Sequence, residues 1–160
     1  FGVAPSLIVF SLFKEMDYSG AMESLAGVFP YLAFLLSVFS ALRLAKFNND
    51  TRQTSSFVGL PVPANALFWA SLVTGAHDWL VSSNFHPVYL LLLVCLFSWL
   101  LVSEIPMFSL KFKNLSWKDN KTSFIFLLVC IPFLIFLGIC SFSAIIVWYI
   151  LLSLITRKSK

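Results

Sequence analysis

The chain has 160 residues, of which 59% are hydrophobic and 11% charged, with a formal net charge of +4 and a mean hydropathy of +0.92. A soluble domain carries about a quarter charged residues, and 18 Phe and 5 Trp present more apolar surface than a water-soluble fold of this size can cover. These figures exclude a disordered chain, a soluble α/β enzyme and a nucleic-acid-binding domain, and leave an all-α polytopic transmembrane helical bundle, one domain over residues 1–160.

Residues 1–13 are apolar but shorter than the roughly 20 residues that a spanning helix needs. No charged segment precedes them, so they do not form a signal peptide. They are expected to be the second half of a span whose first half lies upstream. Residues 25–42 then run without a charge, and 57–76 are apolar with two early prolines. Residues 87–107 are rich in Leu, with Glu104 near the end. Residues 123–156 hold no formal charge over a length suited to two short spans. Glycine and serines cluster at Gly138-Ile-Cys-Ser-Phe-Ser143, which marks the break of a helical hairpin. The expected count is a half span, three spans and a C-terminal hairpin. In lipid such runs must be helical, and a β-barrel would show short alternating segments instead.

The basic residues support this count. Arg43, Lys46 and Arg52 follow one span, Lys111, Lys113, Lys118 and Lys121 another, and Arg157, Lys158 and Lys160 form the tail. All three groups fall on one side only if the last run is a hairpin, and that side is then cytoplasmic. Cys95, Cys130 and Cys140 sit in apolar runs without metal-ligand spacing and are expected to pack as small side chains. His77, Asp78 and His86 flank an outer loop and are expected to be interfacial, because no third ligand has zinc spacing. Asn65 is a polar position that could line a cavity.

Chemistry concentrates in Arg43-Leu-Ala-Lys-Phe-Asn48, the following Arg52, and Gly59-Leu-Pro-Val-Pro-Ala64. Arg43 and Lys46 are three residues apart and share a helix face. With Arg52 they suit a phosphate or a carboxylate, for which Arg offers a two-pronged fork. The competing role is anchoring to anionic headgroups. Gly59, Pro61 and Pro63 make a stiff helix start that can serve as the wall of a pocket.

These two stretches resemble the integral-membrane phosphatidylserine synthases of bacteria, in the CDP-alcohol phosphatidyltransferase superfamily. The opening Phe1-Gly-Val-Ala-Pro-Ser6 resembles the segment that follows that family's metal-binding aspartates. The resemblance covers roughly the first 65 residues, and beyond them it extends only to hydrophobic spans. It implies transfer of a phosphatidyl group from CDP-diacylglycerol to L-serine, at the cytoplasmic side of a bacterial inner membrane, by a homodimer. It also implies a divalent metal, Mg or Mn, held by aspartates that would lie upstream of Phe1. The substrate-binding residues it implies here are Arg43, Lys46, Asn48, Arg52, Gly59, Pro61 and Pro63. Lys46 departs from the family's usual Arg. The alternatives are a related enzyme using another alcohol, and a non-catalytic transport or assembly subunit. A transporter would carry polar residues at the midplane, whereas here the spans are apolar and polarity gathers at the inner end.

Overall fold

In a computed structural model, residues 1–18, 20–49, 57–108 and 120–157 are described, the side chains of 20–22, 57 and 157 excepted. The first helix, α1 (Val3–Glu15), is followed by a 3₁₀ turn over Gly20–Leu25. Next come α2 (Phe29–Leu32) and α3 (Leu35–Asn49), together one apolar stretch, Phe29–Asn49, of 21 residues. This span starts later and ends later than residues 25–42. The 3₁₀ turn occupies the early positions, and Pro30 sits in the first turn of α2, where a missing N–H costs nothing. At the far end Arg43 and Lys46 find partners on other elements, which carries the helix on to Asn49.

Helix α4 (Val62–Val81) begins after a short extended segment rather than at residue 57. Phe57–Val58 (β1) pairs antiparallel with Pro106–Met107 (β2), Phe57 opposite Met107 and Val58 opposite Pro106. Pro61 caps α4 and Pro63 lies in its first turn. The helix runs past residue 76 with a kink at Ala76 (φ −126°, ψ 22°). Helix α5 (Pro87–Val102) starts at His86, whose side chain accepts from Val88 N at 3.3 Å, and it stops short of 107 because β2 follows.

The charge-free run divides into α6 (Lys121–Leu137) and α7 (Ser141–Arg157). Between them Gly138–Cys140 form a 3₁₀ turn, and Gly138 takes φ 53°, which glycine adopts without strain. The two helices pack along one another as a hairpin. Among the described residues two stretches are long and apolar enough to cross a membrane: Phe29–Asn49, with mean hydropathy 1.3, and Lys121–Thr156, the hairpin, with 2.8. The chain is thus an all-α bundle suited to a membrane.

Helix α4 is central, with α1 on one side and α7 on the other, while α3 lies against α1 and α5. Trp69 is fully buried, and Phe68 stacks on Phe97 of α5 with ring centroids 3.9 Å apart. Small residues let α1 approach α3. Ser6 Oγ and Ser37 Oγ are 2.8 Å apart, and each donates to Gly2 O, at 2.9 and 3.1 Å. A hydroxyl satisfied this way suits an apolar surround, since no charge is buried.

Candidate functional site

The site is built on the end of α5. The last carbonyls of a helix have no partner within it and must find donors elsewhere. Here Leu60 N donates to Leu100 O at 3.0 Å, and Gly59 N donates to Ile105 O at 2.8 Å. Gly59 takes φ 76°, and a Cβ there would stand 2.8 Å from both Leu101 O and Ser103 O. Only glycine fits, on backbone conformation and on space alike. This close approach aims the two prolines and the start of α4.

Two cations complete the junction. Lys46 Nζ donates to Val102 O at 3.1 Å and pairs with Glu104 Oε1 at 3.3 Å. A cation at a helix C-terminus satisfies an orphan carbonyl and complements the helix dipole. Lys46 is therefore a cap for α5 supplied from α3. A point charge serves that purpose, which accounts physically for Lys where the resembled pattern has Arg. Arg43 reaches the other strand of the junction. Its Nη2 donates to Val58 O at 3.3 Å and to Gly59 O at 3.1 Å.

Arg43 is only 8% exposed, and among the described residues no carboxylate forms an ion pair with it. Its Nε is buried without a partner, as is Oγ of Ser40, one turn earlier on α3. Both residues line a cavity of about 650 Å³ between the start of α1, the face of α3 and the start of α4. Of twelve lining residues, Arg43 has the only charged side chain, and Ser37 and Ser40 have the only hydroxyls. Pro61 and Pro63 are in its wall, and Leu44 and Phe47 extend it along α3. Pro61 also borders a second cavity of about 360 Å³, lined by aromatic and aliphatic residues of α4, α6, α7 and the segment after β2. There Tyr149 Oη donates to Phe108 O at 2.9 Å.

The structure thus brings Arg43, Pro61 and Pro63 together on one cavity. Gly59 lies behind Arg43 as its acceptor. Lys46 points to α5, and Asn48 is exposed. Arg52 lies outside the described residues, as do Lys111, Lys113, Lys118, Lys158 and Lys160. Sequence reasoning missed Ser37, Ser40 and Gly2. The signal was there: Ser37, Ser40 and Arg43 recur every three residues and so share a helix face. Asn65 is fully buried, but its Oδ1 accepts from Trp69 Nε1 at 3.2 Å, and it lines neither cavity. His77 Nε2 meets Glu15 Oε2 at 2.9 Å, tying α4 to α1. The three cysteines are free. No group of three His, Cys, Asp or Glu able to hold a metal ion occurs among the described residues. The described residues therefore do not fit the divalent metal that the resemblance implies.

No family model matches the chain. A protein of Bacillus subtilis described as CDP-diacylglycerol–serine O-phosphatidyltransferase is 30% identical over 105 residues, covering 66% of this chain and 50% of that protein. Proteins of the same description from two Helicobacter pylori strains are 30% identical over 173 aligned positions, covering 100% of this chain and 68% of theirs. The chain spans half the length of the first relative and about two thirds of the other two.

Proposed function

The chain belongs to the CDP-diacylglycerol–serine O-phosphatidyltransferase family, and we propose that it forms the inner-side substrate pocket of an enzyme making phosphatidylserine from CDP-diacylglycerol and L-serine. The observation that supports this reading is one coincidence. Arg43, from the first basic stretch, and Pro61 and Pro63, from the glycine-proline stretch, line the same cavity although they lie in separate stretches of the chain. Those are the two stretches on which the family resemblance rests.

In the proposed reaction the hydroxyl oxygen of serine bonds to the phosphorus that carries diacylglycerol. The bond from that phosphorus to the bridging oxygen breaks, and CMP leaves with the bridging oxygen. The hydroxyl proton passes to a general base. None of the side chains in the cavity wall can be that base, because Arg43 keeps its proton at any working pH and a serine hydroxyl is a far weaker base than a carboxylate. The base, and the carboxylates that a hard divalent cation prefers, belong on this reading to the part of the family's length that the chain does not span. No step is routed through a metal. What these residues contribute is position and charge. Arg43 provides a guanidinium already oriented by two carbonyls, and the Gly59–Pro63 wall is held rigid against α5. Electrostatic stabilisation of this kind works because the donors need not reorganise during the reaction. The reading places the protein in a bacterial inner membrane with several crossings, its basic segments facing the cytoplasm, as a homodimer.

The test uses the full-length protein in proteoliposomes containing CDP-diacylglycerol, with CMP release as the readout. Release that requires L-serine supports the reading. Release with glycerol phosphate or inositol phosphate but not with serine moves the chain to a related alcohol phosphatidyltransferase. No release with any alcohol leaves the non-catalytic assembly role.

A further inference from the structure

We propose that Tyr149, in the C-terminal hairpin, is a positioning residue for Arg43, acting through the strap Pro106–Phe108 and the segment Phe57–Gly59 that pairs with it. This deepens the phosphatidyltransferase reading and rests on it for any effect on turnover. The hairpin lies beyond the two stretches that carry the family resemblance, and nothing in those stretches gives it a part in the site.

The link is a series of hydrogen bonds between neighbouring elements. Tyr149 Oη donates to Phe108 O at 2.9 Å. Directly before Phe108, Met107 pairs with Phe57 and Pro106 with Val58. Gly59 N then donates to Ile105 O at 2.8 Å. Val58 O and Gly59 O are the two acceptors of Arg43 Nη2, at 3.3 and 3.1 Å. The carbonyls that aim the guanidinium therefore belong to a short ladder whose other strand is tied to α7. A two-stranded pair is marginal by itself, so a tie from outside the ladder decides how firmly it holds.

Packing does not replace that tie. The cavity of about 360 Å³ opens between Pro61 and Ala64 at the start of α4, Phe108, and Ile146 and Tyr149 of α7. Atoms that face a void lack contacts on that side. Phe108 is held there by the hydrogen bond from Tyr149 and by the contact of the two rings, with centroids 4.9 Å apart. Tyr149 is buried, where a hydrogen bond is stronger than one exposed to water. Pro61 borders both cavities, and the Tyr149 phenol and the Arg43 guanidinium are near enough to interact electrostatically. The apolar hairpin thus reaches the charged side of the site through one hydroxyl.

The experiment compares the full-length parent with Tyr149→Phe, which keeps the ring and removes only the hydroxyl. Amide hydrogen exchange at Gly59 and Leu60 should quicken about tenfold, the effect of one lost hydrogen bond on local opening. Amides in the middle of α1 should keep the parent's rates. Ser153→Ala removes another buried hydroxyl of α7, one that donates within the helix to Tyr149 O at 2.8 Å, and should leave exchange at Gly59 and Leu60 unchanged. In the CMP-release assay Tyr149→Phe should lower kcat about three- to tenfold and leave KM for serine within about twofold, because the aim of the guanidinium matters most where charge develops. In an Arg43→Lys background it should lower kcat no further, since a positioning residue acts through the group it positions. The proposal is overturned if exchange at Gly59 and Leu60 stays within about twofold of the parent, if α1 quickens as much, if Ser153→Ala has the same effect, or if the kcat losses of Tyr149→Phe and Arg43→Lys are fully additive. Its fate is separate from that of the reaction. Quickened exchange in Tyr149→Phe with no CMP release by the parent would sink only the enzymatic reading, and CMP release by the parent with unaltered exchange in Tyr149→Phe would sink only this one.

Discussion

Two junctions hold the bundle around α4, and they are built from opposite materials. Where α3, Gly59 and the end of α5 meet, a glycine faces backbone oxygens of residues 100, 101 and 103, and the ties are cations and N–H groups. Where α4 meets the tip of the C-terminal hairpin, Gly75 faces Cys140 instead, with Sγ 2.5 Å and backbone N 2.9 Å from where its Cβ would stand. The ties there are hydroxyls. Ser143 Oγ donates to Phe68 O at 2.9 Å, and Ser71 Oγ, 3.2 Å from the same carbonyl and in contact with Ser143 Oγ, donates its one proton to either of them. The difference follows from what each junction lacks. A helix end exposes carbonyls and calls for donors, which cations supply best. A helix middle has its backbone paired already, so neutral hydroxyls suffice and no charge enters an apolar surround. A basic residue at a membrane boundary thus has a third role besides anchoring to headgroups and holding a ligand: it can cap a neighbouring helix.

The largest expected effect breaks the first junction alone. Gly59→Ala forces a Cβ against two backbone oxygens at a positive φ, and it should cost about 3 kcal/mol or more. Thermal unfolding in detergent should show a large loss of midpoint or no folded protein. Gly75→Ala meets a movable sulfur as well as backbone and should cost less, and Cys140→Ala in the same chain should restore part of the loss. Equal losses at the two glycines would erase the distinction.

Arg43→Lys tests whether the cation works through its fork. One fewer charge-assisted bond is worth about 1.5–3 kcal/mol, so in the full-length protein kcat/KM for the proposed serine-dependent CMP release should fall on the order of 10–100-fold with membrane insertion intact. Lys46→Arg should stay within about threefold of the parent, because a helix cap needs a charge and not a geometry. If Lys46→Arg is the worse of the two, the roles assigned to these residues are exchanged.

The hydroxyl junction should be gentler. Ser71→Ala and Ser143→Ala should each cost about 1 kcal/mol of stability, with the double variant costing less than the sum, because the two share a partner. Full additivity in thermal denaturation would dissolve the network. Glu104→Gln, whose partner Lys46 is 37% exposed and which is itself 69% exposed, should cost under about 1 kcal/mol.

The smallest effect is a pH dependence outside both junctions. Burial pushes the Tyr18 phenol up to about 12, and its hydroxyl donates to Phe13 O at 2.9 Å. The folded value lies above the ordinary 10, so this contribution is fully present below pH 10 and is lost as pH rises through about 12. Between pH 9 and 11 the thermal midpoint of Tyr18→Phe should therefore fall less than that of the parent. An equal fall in both would remove Tyr18 from the account.

Most of the architecture was legible because it depends on local quantities. Apolar runs of spanning length, prolines at helix starts and the Gly138 break are properties of neighbouring residues, and the helices and the α6–α7 turn follow them. The boundaries shifted where a distant element intervened, as when β2 drew residues 57–58 out of α4, and the Val102 carbonyl of α5 engaged Lys46 while those of Val58 and Gly59 engaged Arg43 near the end of α3. The candidate site divides in the same way. Its composition, a basic stretch and a glycine-proline stretch, could be read along the chain, and so could the period that aligns Ser37, Ser40 and Arg43. That Arg43 ends beside Pro61 while Lys46 turns to Val102 was decided by tertiary structure alone. Hydropathy and helical period specify which residues enter a helix and which share a face. The carbonyl a cation finally reaches depends on which helix end is left unpaired beside it, a contact across 56 residues in the case of Lys46 that no local pattern encodes.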